Sequence, residues 1–172
     1  MQRQLIMERQ TEYDSKFNQL VKRHEKIIFS VCFFYASADT PFEDLRQEVL
    51  ISLFKGMPGF RGQSSESTWV YRVCINTCLF SLRKCSRRLR TVPLDELRGA
   101  CLPADCDEEL AHKLQWLHTA IAQLNPMDKA LILMWLDELS YDEIAANLGV
   151  PRNTVASRLS RIKVKLSAKK EI

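Results

Sequence analysis

The stretch Ser140–Leu166, SYDEIAANLGVPRNTVASRLSRIKVKL, decides how the rest of the chain is read. Ser140 is placed to cap a helix, and Glu143, three residues on, to reach back to the Ser140 amide, a reciprocal capping box. Ile144, Ala145 and Leu148 make an apolar stripe, and Gly149 sits where a left-handed residue stops the helix without steric cost. The second helix buries Val155, Leu159, Ile162 and Leu166, and its other side shows Asn153, Thr154, Ser157, Arg158, Arg161 and Lys165. An apolar stripe opposed by hydrogen-bonding and cationic side chains is what a helix in a DNA major groove requires. A surface hairpin with merely solvated cations is the competing reading. The capping box, the turn glycine and the small Ala145 at the helix crossing favour a helix-turn-helix.

Upstream, Asn125-Pro126-Met127-Asp128 supplies a cap and a first-turn proline for a helix through Leu136, and Asp137-Glu138-Leu139 turns into the helix-turn-helix. A preceding helix over 109–124 carries Leu114, Leu117, Ile121 and Leu124 on one face. These four helices form a module of about 60 residues, small but able to fold alone. Thr91–Glu109 differs in character: Pro93, Pro103 and the acids Asp95, Glu96, Asp105, Asp107, Glu108 and Glu109 stand against a lone Arg98. It reads as an extended acidic linker.

The N-terminal half predicts three helical runs. One spans Tyr13–Tyr35, with Phe17, Leu20, Val21, His24, Ile27, Ile28, Val31, Phe34 and Tyr35 at helical spacing; His24 reads as a satisfied core or boundary residue. A second opens with Thr40 as cap, Pro41 at the first helical position and Glu43 closing a capping box, and stops near Gly56. It buries Leu45, Val49, Leu50, Leu53 and Phe54 and keeps Asp44, Gln47 and Glu48 outside. After a polar loop, Phe60–Ser67, a third run starts at Thr68 and ends among Arg83, Lys84, Arg87, Arg88 and Arg90; Asn76-Thr77, two poor helix formers, mark a kink or break inside it.

The whole-chain numbers narrow the class. The chain has 172 residues, 46% hydrophobic and 27% charged, with only five glycines, which together point to an all-α protein of two small helical domains. The net charge of +4 is modest, but the cations gather in two places, 83–90 and Arg152–Lys170, as for a protein that meets a polyanion twice. The first residues, MQRQLIMERQTEYD, lack the apolar core of a signal peptide, and no run has the apolar length of a membrane span. Cys32, Cys74 and Cys78 fall in apolar helical segments and read as reduced core residues, consistent with a cytoplasmic protein. Cys101, Cys106, His112 and His118 match no compact zinc spacing, so neither a metal nor any other cofactor is expected.

With both basic helical modules and the acidic linker in view, the chain resembles the extracytoplasmic-function sigma factors of bacterial RNA polymerase. The residues that carry the resemblance are Asp44-Leu45-Arg46-Gln47-Glu48-Val49, Phe60-Arg61-Gly62, Thr68-Trp69-Val70-Tyr71-Arg72-Val73, Asn76, Leu124-Asn125-Pro126 and the Ser140–Leu166 segment. Each alone is weak; their order and spacing are specific. The resemblance implies a division into a region 2-like domain over 1–90, a linker over 91–109 and a region 4-like domain over 110–172. It implies that Asp44, Leu45, Gln47 and Glu48 dock on the β′ clamp helices of core polymerase, with further contacts to the β subunit. It makes Asn76 a reader of a flipped base in the promoter −10 element, with Arg72, Arg83, Lys84, Arg87 and Arg88 holding phosphates nearby. It makes Arg152, Asn153, Thr154, Ser157 and Arg158 readers of the −35 element, with Arg161 and Lys165 on the backbone. The chain departs from the commonest family pattern at Pro151 and Asn153. The acidic linker would run through the polymerase like a nucleic-acid mimic. The implied partners are core polymerase, promoter DNA and an anti-sigma factor, with no membrane insertion and a monomeric free chain.

Two other classes compete. A stand-alone helix-turn-helix regulator would act as a dimer on two half-sites, but the Asp44–Glu48 row and the 83–90 basic run have no use in it. An enzyme acting on nucleic acid would need clustered carboxylates for metal or a nucleophile with a base, and no such set or phosphate-cradling glycine loop is present. Trp69 and Tyr71 could stack on bases, although Trp69 at helical spacing reads more readily as core.

Overall fold

The computed structural model of the chain describes residues 2–88 and 116–168. Their order is α1 (Gln2–Arg23), α2 (Glu25–Tyr35), α3 (Phe42–Gly56), a 3-10 turn (Met57–Gly59), α4 (Glu66–Arg88), α5 (116–122), α6 (Pro126–Leu136), α7 (Tyr141–Leu148) and α8 (Arg152–Ala168). Among the described residues no strand forms beyond an isolated bridge between Ser37 and Thr40. The expected linker over 91–109, with Cys101 and Cys106, lies outside the described residues, as do Arg90, His112 and Leu114.

The run expected as one helix over 13–35 is two. His24 leaves helical geometry at φ −113°, ψ 20°, while the Ile28 amide still reaches the His24 carbonyl at 3.0 Å, so the axis bends rather than breaks. Glu66 at the start of α4 clasps this bend: its carboxylate meets His24 Nε2 at 2.8 Å and both Arg23 donors at 3.0 and 3.1 Å. His24 is thus the satisfied boundary histidine the sequence suggests.

The start of α3 also differs from expectation. Thr40 is held by paired backbone hydrogen bonds to Ser37 (3.0 and 3.1 Å), so it cannot take a capping position. Pro41 is the N-cap with extended ψ, no side chain caps the helix, and the Thr40 hydroxyl is buried with no hydrogen-bond partner among the described residues. In α4 the helix begins at Glu66, two residues early, because Ser65 Oγ accepts the Thr68 amide at 3.1 Å. No break occurs at Asn76-Thr77: buried Cys74, Ile75 and Cys78 bracket that dipeptide and hold the helix to its neighbours.

The C-terminal capping follows expectation closely. Asn125 accepts the Asp128 amide at 2.9 Å, Ser140 and Glu143 form both halves of the capping box, and Gly149 closes α7 at φ 65°. One cap was not legible. The Glu138 amide bonds Trp135 C=O and the Leu139 amide bonds Met134 C=O, a Schellman closure with Glu138, not glycine, at φ 62°. A left-handed non-glycine residue costs about 1–2 kcal/mol, and it follows Asp137, the C-cap of α6.

Helices α2, α3 and α4 pack through Ile28, Val31, Tyr35, Leu45, Val49, Leu53, Val70, Cys74 and Cys78, all buried. Helices α5–α8 pack through Ile121, Leu131, Met134, Ile144, Val155, Leu159 and Ile162. Each such aliphatic side chain contributes about 1.5–3 kcal/mol on burial. The two sets merge into one apolar cluster. Burial pushes the Cys74 thiol well above its ordinary range, so it stays protonated and serves packing.

Candidate nucleic-acid interface

Three exposed faces gather the predicted site residues. On α3, Asp44 and Gln47 are exposed. Leu45 is fully buried and supports this face from beneath, offering no surface of its own. Glu48 is half-buried and accepts the Ser81 hydroxyl of α4, so it is not the free outward carboxylate expected from its spacing. The Ser81 partner was invisible locally because it lies 33 residues away.

On α4, Arg72, Asn76, Arg83 and Lys84 are exposed, and they share their side of the helix with Phe80. Arg87 and Arg88 belong to its last turn, but their side chains lie outside the described residues. The two aromatics considered for stacking are both engaged. Trp69 packs on Phe60 at 5.1 Å between centroids and over Gly56, where an added Cβ would meet its Cζ2 at 3.2 Å. Tyr71 is fully buried, with its hydroxyl on Asp137.

On α8, Arg152, Asn153, Ser157, Arg161 and Lys165 are exposed, while Thr154 and Arg158 are half-buried. Pro151 starts the helix through its carbonyl, which accepts the Thr154 amide at 2.9 Å. Arg152 lies over the Tyr141 ring at 5.7 Å and pairs with Asp142 at 3.3 Å, joining the two helices of the motif across their turn. The Arg158 guanidinium meets Asp128 at 3.1 Å, and Asp128 also accepts Asn125 Nδ2 at 2.6 Å. The cap of α6 therefore orients a predicted base reader. Lys163 sits 3.9 Å over the Trp135 ring, a cation–π contact that fixes α8 on α6.

Helices α2 and α4 are tied to α5, α6 and α7 by polar and ring contacts. Tyr35 donates to Pro126 C=O at 2.5 Å, Lys129 to Phe34 C=O at 2.9 Å and Arg72 to Ala146 C=O at 2.8 Å. His118 lies against Phe33 and Phe34, with centroids 4.4 and 5.4 Å away. Burial lowers the pKa of Lys129 and His118 and raises that of Asp137, which faces Lys26 and Tyr71. Burial opposes ionisation of Glu66, but its hydrogen bonds to His24 and Arg23 outweigh burial and hold its carboxyl below the ordinary value.

Among the described residues no group of three or more His, Cys, Asp or Glu could hold a metal ion, and no helix is long and apolar enough to cross a membrane. What the three faces share is hydrogen-bonding surface carried on helices; the α4 and α8 faces are cationic, the α3 face acidic.

Known families match both halves of the chain. Residues 20–88 match the model of Sigma-70 region 2, and residues 114–166 that of Sigma-70, region 4. The ECF RNA polymerase sigma-E factor of Escherichia coli K12 is 33% identical over 171 residues, covering 92% of this chain and 88% of that protein. The ECF sigma factor SigE of Mycolicibacterium smegmatis is 29% identical, covering 84% of this chain and 58% of that protein. Two solved structures share the fold. CnrH in complex with the cytosolic domain of CnrY has TM-score 0.65 at 21% identity, covering 92% of this chain and 89% of that one. RpoE of Bartonella quintana with the anti-sigma factor NepR has TM-score 0.70 at 20% identity, covering 91% and 98%.

Proposed function

Because this chain belongs to the extracytoplasmic-function sigma factors of RNA polymerase, which bring core enzyme to promoters and start transcription, we infer that its three exposed faces divide that task. The α3 face, with Asp44 and Gln47 outward and Glu48 steadied by Ser81, docks on the β′ clamp helices; the β subunit takes further contacts. An acidic and amide row over buried Leu45 and Val49 suits a basic partner. The α4 face reads the −10 element through Asn76, whose amide offers donor and acceptor together, with Arg72, Arg83, Lys84, Arg87 and Arg88 on phosphates. The α8 face reads the −35 element through Arg152, Asn153, Thr154, Ser157 and Arg158, with Arg161 and Lys165 on the backbone. The division into a region 2-like unit over 1–90, a linker over 91–109 and a region 4-like unit over 110–172 follows the same reading.

The role is one of binding and specificity rather than catalysis, performed in the cytoplasm by a chain monomeric when free. An anti-sigma partner is expected, since RpoE of Bartonella quintana, which shares the fold, was solved with one. The observation that carries the assignment is the order of the two sigma regions along the chain, each bearing an exposed helix face of the required chemistry. The test is reconstitution: purified chain added to core polymerase should permit initiation from its own promoter. Absence of binding to core would overturn it. Relatives that are sigma factors favour this reading over a dimeric stand-alone regulator.

A further inference from the structure

We propose that Phe80 is a stacking platform for an unpaired nucleobase of the opened −10 DNA, next to the base held by Asn76. The proposal rests on the reading of α4 as the −10 face. Phe80 is 65% exposed, matched among the large hydrophobic side chains described only by Val164. The other aromatics on this side of the chain are committed: Trp69 to Phe60 and Gly56, Tyr71 to Asp137. Even Phe29, 49% exposed, stacks on Phe33 at 5.6 Å and meets Phe42 at 5.2 Å. Phe80 makes no such ring contact among the described residues.

Its position gives the bare ring a use. Arg72, Asn76, Phe80 and Lys84 recur every fourth residue and so follow one stripe along α4, and all four are exposed. Asn76 and Phe80 are separated by about 6 Å along the axis, at 1.5 Å per residue. That is wider than the roughly 3.4 Å step of a stacked strand, so two neighbouring bases reach these side chains only after unstacking. Aromatic rings accept any base on their π-face, so Phe80 supplies affinity for the opened strand while the Asn76 amide supplies selectivity. A protein partner would need an apolar surround for the ring. Here its neighbours on the stripe are an amide and a cation, which suits a polyanion carrying flat rings.

The experiment uses holoenzyme reconstituted with core polymerase and a promoter fragment selected by that holoenzyme, comparing Phe80→Ala, Phe80→Leu, Phe80→Trp and Asn76→Ala. Open complex is read by permanganate reactivity of −10 thymines, and core binding is measured separately. Phe80→Ala and Phe80→Leu should lower open-complex formation roughly 5- to 150-fold, the worth of one base–aromatic stack. Phe80→Trp should retain it, and all variants should bind core like the parent. A loss with Asn76→Ala but none with Phe80→Ala overturns the role of Phe80 and leaves the −10 reading standing. No loss with either overturns both. Weakened core binding by Phe80→Ala makes the ring a protein contact and overturns the stacking role.

Discussion

The Tyr71 hydroxyl, on the helix that carries Asn76, donates to the Asp137 carboxylate at the C-cap of α6, within the helices that carry the helix-turn-helix. The next residue, Arg72, spends its guanidinium on Ala146 C=O of α7. A cation expected to hold a promoter phosphate is here bonded to protein. Using Arg72 on DNA therefore requires that α7 give it up.

Asp137→Ala removes the acceptor of a buried hydroxyl, at a cost of about 1–3 kcal/mol. The expected outcome is a looser seam between α4 and α6–α7, read as a larger radius of gyration in small-angle scattering. An unchanged radius with an unchanged melting temperature would show that the apolar cluster alone sets the arrangement.

Two of the shifted carboxylates, Glu66 and Asp137, give opposite pH slopes. Glu66 has its folded pKa lowered, so its stabilisation is full above its ordinary value of 4.5 and is lost as pH falls through the lowered value. Asp137 has its folded pKa raised above 3.8, so its contribution favours the folded state at low pH and is lost as pH rises through the raised value. In thermal melts, Glu66→Gln should flatten the acid-side decline and Asp137→Asn should remove the opposing trend.

Gly149→Ala places a Cβ on a residue at φ 65° where the surrounding space is open, so the cost is backbone strain alone, about 1–2 kcal/mol. It should destabilise the helix-turn-helix and weaken −35 binding without touching a base-facing side chain. Hydrogen exchange of the α7 amides checks this; unchanged protection would contradict it.

Arg158→Ala should weaken −35 discrimination by about 1–3 kcal/mol if the guanidinium contacts a base. Asp128→Ala, which frees Arg158 from its 3.1 Å partner, should shift discrimination in the same direction by less. Competition among promoter fragments measures both. An unchanged profile for Arg158→Ala would confine its role to the Asp128 pair.

Much of the fold was legible because its signals are local. Capping boxes, a first-turn proline, a turn glycine and the spacing of Leu and Ile act between residues three or four apart, so Ser140, Gly149, Asn125 and the α8 stripe appear where the pattern places them. The misreadings have causes that the helical spacing does not carry, two of them long-range. The bend at His24 answers to Glu66, 42 residues away, and Thr40 loses its capping role to the bridge with Ser37. The Asn76-Thr77 helix persists because neighbours on α4 are buried against α2 and α3, which outweighs weak local propensity.

The candidate site divides in the same way. The residue types, their order and the two sigma regions are properties of the sequence by itself, because chemistry and helical spacing are written along the chain. Which side chains remain available is decided by tertiary contacts among helices far apart in sequence. Those contacts bury Tyr71 on Asp137, steady Glu48 with Ser81, orient Arg158 on Asp128 and leave Phe80 bare.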